Sequence, residues 1–416
     1  MNTSATEPPN GWDDIGGAEL VNMRSEHLGS ASPQRLPDSG SNVTEKLSTP
    51  GKRARVRLAA VWGTKQNHAS YPRKRSKPGL GHNPMERFRR NHLAVTQVCR
   101  QTWCELQVAY EYEIPHVLTS PETRAKMEAG VDIHLNRELE LQEVVSVPVR
   151  SREDQQAVSF LNLLSMIPDL QAGLLVRELP VFGLLEGVFL TGVVDELRYD
   201  EKGELVLTDL KTRAANSLPD PAQAKGSSLQ VRLYKLLFDS LVRGDLKRDH
   251  VITHLRLLPE RALGKGVLEQ AERLDLQVST FGDLLDLLLL NLSYCELPPV
   301  DRLRLEYCHQ GSGAAIGTQD VPFAEPQTRE ELRHYLSYWT GRREPRGVDI
   351  EEAWKCCACQ YKQHCEWKLG EAEYLEATAP KKTATDHTPQ QDAGHAQPGA
   401  LTTPTNETQA TPSRKH

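Results

Sequence analysis

The chain of 416 residues lacks a long apolar run. Its strongest, Leu284-Leu285-Asp286-Leu287-Leu288-Leu289-Leu290-Asn291-Leu292, is too short to cross a bilayer and is interrupted by Asp286, so no membrane span is expected. Ser279 or Thr280 can cap it and Asp283 suits its first turn, so it reads as a helix buried nearly all round. The first residues hold no apolar stretch of the secretory type. They carry Asp13, Asp14 and Glu19, which argues against a mitochondrial presequence, normally poor in acids. No Gly-x-x-x-x-Gly-Lys-[Ser/Thr] occurs, which excludes a helicase motor of that type. No internal repeat is visible. Hydrophobic content is 38%, below the average of globular domains, so part of the chain is not expected to pack. Residues 1–83 are rich in Ser, Pro, Asn, Gly and Arg, and residues 376–416 in Thr, Pro, Gln, Ala and His. Both segments are expected to be disordered, leaving one globular domain over residues 84–375.

The net charge of −6 hides an asymmetry. Residues 51–100 hold 13 Lys and Arg against one acid, Glu86, so this stretch is +12 and the remainder −18. The clusters Lys52-Arg53-Ala54-Arg55-Val56-Arg57 and Arg73-Lys74-Arg75-Ser76-Lys77 read as nuclear import signals or a tether to nucleic-acid phosphate, against the alternative of a solvated arm. An acidic remainder argues against a broad DNA-coating surface and for a local channel.

Four of the eight cysteines fall in ten residues, Cys356-Cys357-Ala358-Cys359 through Cys365. With no secretory signal, reduced thiols are the better expectation than disulfides. Cys356, Cys359 and Cys365 give C-x2-C-x5-C, three ligands for a metal centre, with Cys357 a rival to Cys356. The best candidate for the fourth is Cys104, in Trp103-Cys104-Glu105. Spacing alone suits zinc as well as an iron–sulfur cluster. Cys99, Cys295 and Cys308 read as buried or incidental thiols.

The segments Gly192-Val193-Val194-Asp195-Glu196 and Thr208-Asp209-Leu210-Lys211-Thr212-Arg213 flank a turn signal, Tyr199 to Glu204, and read as one β-hairpin. Asp209 and Lys211, two apart on a strand, leave the same face, and Asp195 comes from the partner strand. Two carboxylates and a lysine so placed can hold a hard divalent cation and polarise a phosphodiester. A helix with Gln230 and Tyr234 on one face follows, after a loop over residues 214–228 with Pro219, Pro221 and Gly226 that suits a DNA entrance. Upstream, Ser120-Pro121-Glu122 starts a helix that carries His134 and Glu138. Glu178 lies on a preceding strand as a supporting acid, and Arg213 is placed to contact phosphate.

This order of His, Asp, Asp-x-Lys and Gln-x-x-x-Tyr resembles the PD-(D/E)xK nucleases and their RecB-like branch. With Pro84-Met85-Glu86-Arg87-Phe88, Ile133-His134-Leu135, Gly192 to Glu196, Leu210 to Arg213 and Glu352-Ala353-Trp354-Lys355-Cys356, the stretch from about Pro84 to Trp367 is similar to the eukaryotic exonuclease V family. The resemblance implies an α/β fold, a restriction-endonuclease-like core with a mixed central sheet flanked by helices, stapled by a [4Fe–4S] cluster on Cys104, Cys356, Cys359 and Cys365. It implies Mg²⁺, or Mn²⁺, on His134, Asp195 and Asp209, with catalysis by Asp195, Asp209, Lys211, Gln230 and Tyr234. The activity implied is a single-stranded DNA exonuclease working from ends in DNA repair and genome maintenance. A monomer in the nucleus is expected, with the cytoplasm second and the mitochondrion less favoured, and a single-stranded-DNA-binding protein is an expected partner. The rival readings are a nuclease on structured or double-stranded DNA or on RNA, and a DNA-binding scaffold without catalysis.

Overall fold

The computed structural model describes residues 55–62, 83–117 and 119–370. The expected C-terminal tail over 376–416, most of the expected N-terminal arm and the cluster Arg73 to Lys77 lie outside the described residues. In chain order the elements are β1 (Val56–Trp62), α1 (Pro84–Arg87), β2 (His92–Ala94), α2 (Val95–Cys99), α3 (Glu105–Glu113), α4 (Pro121–Leu139), β3 (Glu143–Val149), α5 (Arg152–Gln171), β4 (Val176–Leu185), β5 (Val188–Tyr199), β6 (Leu205–Arg213), α6 (Pro221–Val242), α7 (Arg248–Leu255), α8 (Lys265–Arg273), α9 (Phe281–Tyr294), β7 (Arg302–His309), β8 (Ala315–Val321) and α10 (Glu325–Trp339). Short 3-10 turns span Arg100–Thr102 and Ile350–Cys356.

The main sheet runs β2-β5-β6-β7-β8, and β4 also pairs with β5. It is mixed: β2/β5 and β6/β7 are parallel, while β4/β5, β5/β6 and β7/β8 are antiparallel. Helices α5 and α6 pack on β4, and α6 also on β7. Every position of β6 is buried, as a central strand covered on both faces requires. Asp209 and Lys211 are therefore carried into the interior by a strand whose other members are mostly apolar. Phe160 of α5 stacks on Phe281 of α9 and tilts against Phe182 of β4, with ring centroids 5.5 and 5.4 Å apart, which ties three elements into one core.

Local chemistry explains the two helices that flank the site. Ser120 caps α4 by accepting from the Thr123 N–H, with Pro121 at the first helical position. Asp220 and Gln223 form a capping box at the start of α6, again with a proline, Pro221, at the first position. The helix thus begins eight residues before Leu229, and Gly226, read above as part of a loop, is helical. A Cβ there would meet Thr102 Oγ1 at 3.0 Å, so close packing against the Arg100–Thr102 turn accounts for the glycine.

Two further expectations are corrected. Residues 56–62 do not belong to an unstructured arm: β1 pairs in parallel with β3 from Val56↔Glu143 to Trp62↔Val149. The basic run at 52–57 is correspondingly engaged at its end. Arg55 donates to the Leu175 carbonyl and pairs with Asp169, and Arg57 is buried against Glu138. The leucine-rich helix α9 is not buried all round. Leu284, Leu285, Leu288 and Leu292 face the core, but Leu290 and Tyr294 are exposed.

Thr280 and Asp283 make the capping box of α9. Hydrogen bonds from the Thr280 backbone and from Ser279 hold the Asp283 carboxyl down at about 2. A carboxyl whose pKa falls on folding stabilises the fold at neutral pH, and that contribution is lost as pH drops from about 4 through about 2. Asp283→Asn is expected to lower the melting temperature at pH 7 by a few degrees, and melts repeated towards pH 3 should show the difference narrowing. An unchanged melt at pH 7 would mean that the cap contributes nothing.

Candidate active site

Strands β5 and β6 pair from Tyr199↔Leu205 to Glu196↔Thr208, and the ladder stops there. The next opposed residues are Asp195 and Asp209. Instead of continuing the backbone ladder, Asp195 Oδ2 accepts the Leu210 N–H at 2.8 Å. A side chain thus replaces a strand partner at the fork, and both aspartates turn to one face.

Across the other edge of β5, the turn Glu186-Gly187 has positive φ at both residues, 49° and 81°. Two such residues match a two-residue hairpin turn of the I′ kind. The register Leu185↔Val188 that it starts runs to Arg177↔Glu196 and brings Glu178 opposite Asp195. Glu178 itself is left-handed, φ 57°, although it lies within a strand, as the third residue of β4. For a residue with a side chain this costs about 1–3 kcal/mol and is retained only where the surroundings impose it.

From α4, whose buried face is Met127, Gly130, His134 and Glu138, the His134 ring comes to the same place. A Cβ on Gly130 would lie 3.0 Å from Thr212 Oγ1, so the glycine lets α4 lie close on β6. His134, Glu178 and Asp195 each offer a ligand atom within 4.8 Å of the others. His134 Nδ1 is 3.6 Å from Asp195 Oδ2, while His134 Nε2 and Asp195 Oδ1 are buried without a hydrogen-bond partner. Orphaned buried polar atoms cost about 1–3 kcal/mol each. One on each of two neighbouring residues that are good metal ligands fits a divalent cation.

The neighbouring residues form a hydrogen-bonded relay. Lys211 Nζ lies 2.7 Å from Asp209 Oδ2 and donates to Gln230 Oε1 at 2.9 Å. The lysine–aspartate approach is an ion pair rather than an aligned hydrogen bond, since Asp209 Oδ2 has no partner of hydrogen-bond geometry. Gln230 Nε2 donates to Tyr234 Oη at 2.9 Å and to Asp209 Oδ1 at 3.4 Å. Gln230 and Tyr234 therefore set Lys211 and Asp209. Arg213, expected at a phosphate, is buried and donates to Ser217 O and Gln223 Oε1, so it fastens the loop before α6.

Burial dominates the electrostatics. It raises Asp195 well above the usual carboxylate range, with the Asp209 charge adding to the effect, and it raises Tyr234. It raises Glu178 to about 7, opposed by the charge of Arg57. It lowers His134, which is therefore a neutral imidazole suited to ligation.

The cysteines gather at a second place. Burial pushes the Cys104 thiol up to about 12, and nearby Cys359, Cys365 and Cys356 push it the same way. Cys365 is buried, Cys104, Cys356 and Cys359 are half-buried, and Cys357 is exposed. Protein contacts bring the two segments together. Arg343 forks onto both carboxylate oxygens of Glu105, and Glu105 also accepts the Arg346 N–H at 2.8 Å. Trp103 meets Trp354 edge-on at 5.5 Å, and Tyr110 Oη accepts the Glu366 N–H. Cys99, Cys295 and Cys308 are buried elsewhere as lone thiols.

Comparison with known proteins matches this chain to a family described as "Exonuclease V - a 5' deoxyribonuclease", over residues 83–206, 200–287 and 276–368. "Exonuclease V" of Danio rerio is 46% identical over 383 residues, 88% of this chain and 95% of that one. The chain belongs to the exonuclease V family. An uncharacterised protein, ORF95, of Ostreid herpesvirus 1 (isolate France) is 26% identical over 108 residues, 26% of this chain and 35% of that protein. A solved structure titled "Crystal structure of SSO0001" covers 67% of this chain and 87% of its own at 14% identity and a TM-score of 0.33, too loose a likeness to carry an argument. The residues matched to the exonuclease V family include His134, Glu178, Asp195, Asp209, Lys211 and the four gathered cysteines, but begin after β1.

Glu178 is the residue that sequence reasoning undervalued. A register count from the Glu186-Gly187 turn locates it opposite Asp195, but that turn lacks the Asn-Gly or Asp-Gly signal. Gly192 is another constraint. A Cβ there would lie 2.4 Å from Tyr234 Cε1. Gly192→Ala is expected to force the Tyr234 ring aside and lower stability by about 1–3 kcal/mol, read from the denaturant midpoint. A wild-type midpoint would show that the ring yields freely.

Proposed function

We propose that this member of the exonuclease V family is a metal-dependent exonuclease on single-stranded DNA with a PD-(D/E)xK core. The observation that carries the reading is the pair of unpartnered buried atoms, His134 Nε2 and Asp195 Oδ1, beside the ion pair of Lys211 and Asp209. His134, Glu178 and Asp195 would hold the cation, and Asp209, whose charge Asp195 feels, is the further carboxylate. Mg²⁺ or Mn²⁺ bound there supplies a water of lowered pKa and offsets phosphate charge. Lys211, held as an ammonium by Asp209, would donate from Nζ to orient the attacking water and would offset charge on the scissile phosphate. Gln230 keeps that ammonium aimed by accepting from it, and Tyr234 fixes the Gln230 amide. The end preference, the single-strand preference and the role in DNA repair follow the family resemblance, as do action as a monomer, a nuclear site and a single-stranded-DNA-binding partner.

Cys104, Cys356, Cys359 and Cys365 would hold a [4Fe–4S] cluster, which when bound cross-links α3 to the C-terminal cysteines. The donor set fits. Cys356, Cys359 and Cys365 lie close enough to Cys104 to raise its thiol, and a cationic centre would remove the penalty on desolvated thiolates. The exposure of Cys357 favours Cys356 as the ligand.

End-labelled single strands, double-stranded ends, circular single strands and RNA, each with and without Mg²⁺, test the substrate, with visible absorbance reporting the cluster. Digestion of linear single strands alone, dependent on Mg²⁺, is expected. Cleavage of circles, or equal digestion of RNA, would overturn it. Lys211→Met should lower kcat by about 10²–10⁴-fold while single-strand binding persists. Asp209→Ala should bind and not cut. Full activity in either variant would remove these residues from the site.

A cation must displace protons held on Glu178, and on Asp195, when these are pushed up by burial. Apparent Mg²⁺ affinity is therefore expected to weaken as pH falls below about 7, by about tenfold per unit for each proton displaced. Glu178→Gln should reduce that slope. A pH-independent affinity would exclude Glu178 as a ligand.

A further inference from the structure

Strand β1 precedes the residues matched by the family model, which begin at 83. Two sides hold it. The parallel ladder to β3 runs its whole length. On α5, Asn162 accepts the Leu58 N–H at 2.8 Å and donates to the Leu58 carbonyl at 2.9 Å. The strand is thereby fixed at the residue after Arg57. Arg57 enters the interior, 7% exposed, and its guanidinium takes both oxygens of Glu138, which is 1% exposed, with Nη2 to Oε2 at 2.9 Å. Gln142 donates to Glu138 Oε1 at 3.3 Å.

Glu138 stands four residues after His134 on the buried face of α4, directly in line with it. The positive charge of Arg57 also acts on Glu178 from β4. One side chain thus touches, by hydrogen bond or by charge, two of the three elements that assemble at the fork. A planar fork with two parallel donors sets orientation as well as charge, which a lysine at the same place does not.

We propose that Arg57 is a positioning residue for the metal-ligating group: its fork on Glu138 holds α4 in the rotation that turns His134 towards Asp195 and Glu178. The inference rests on His134, Glu178 and Asp195 being that group. Arg57 belongs functionally to the active site although its strand precedes the residues that the family model matches.

The alternative is a buried ion pair that only satisfies Glu138. A double substitution separates the two, because Arg57→Met with Glu138→Gln removes both buried charges and leaves no carboxylate stranded. Isothermal titration of the full chain with Mn²⁺, alongside melting temperatures, reads both properties. Arg57→Met is expected to weaken Mn²⁺ binding by about tenfold and to lower the melting temperature, with Arg57→Lys between it and wild type. The double variant is expected to regain most of its melting temperature while its Mn²⁺ affinity stays weak. Recovery of both in the double variant, or wild-type Mn²⁺ affinity in Arg57→Met, overturns the proposal. His134→Ala run in parallel locates a failure. If it too binds Mn²⁺ as wild type, the ligating group is wrong and the role of Arg57 falls with it. If it weakens binding while Arg57→Met does not, Arg57 alone is misassigned.

Discussion

The rest of the structure is arranged around charge that has been taken out of water where β5 and β6 part. Asp195, Asp209, Lys211, Glu178, Glu138, His134 and Arg57 are all buried. A buried charge is tolerated only when it is paired and hydrogen-bonded. Each element near the fork supplies a partner. β6 brings Lys211 to its own Asp209, α6 brings Gln230 to both, and β1 brings Arg57 to Glu138. The mixed sheet serves this arrangement directly. The parallel β7 covers one edge of β6, and the break in the β5/β6 ladder frees the other edge for side chains.

What the sequence disclosed followed from the range over which its signals act. Asp209 and Lys211 are two residues apart on a strand, and Gln230 and Tyr234 four apart on a helix, so periodicity alone assigns each pair to a face. The Ser120-Pro121 start and the Tyr199 to Glu204 turn are local chemistry, and the structure has a helix and a hairpin there. Cys104 could be named as the trio's fourth partner, but no local signal shows how the two segments meet, because the staples join residues 238 and more apart, as Glu105 and Arg343 do. Where composition stood in for geometry, the reading failed. Arg57 sits in a run of arginines that looks solvated, and its partner is 81 residues away. Pro221 and Gly226 look like loop residues, yet one is a helix start and the other a close contact.

Glu178 shows the limit most clearly. Its identity as an acid on a strand was visible, but its role depends on a left-handed backbone and on a register set by the Glu186-Gly187 turn. Neither has a strong local signature in the residues themselves. Strain of this kind is most often found where function imposes a geometry that propensity does not favour.

The directions of the shifts at the fork supply the last step. Burial moves Asp195 and Glu178 up and His134 down, so that each is pushed towards its neutral form. The strong cationic partners nearby are engaged, Lys211 with Asp209 and Gln230, Arg57 with Glu138. A protein that needed only stability would hold apolar residues of similar volume at these positions, which is often neutral or favourable. Keeping two acids and an imidazole there makes sense if a divalent cation supplies the charge that the protein withholds. Binding that cation then stabilises the fold by mass action, and the protons it expels link that stability to pH. A second gathering of desolvated groups lies where the thiols sit beside a polar staple between Glu105 and Arg343. There protein contacts hold the segments that carry the cysteines against one another.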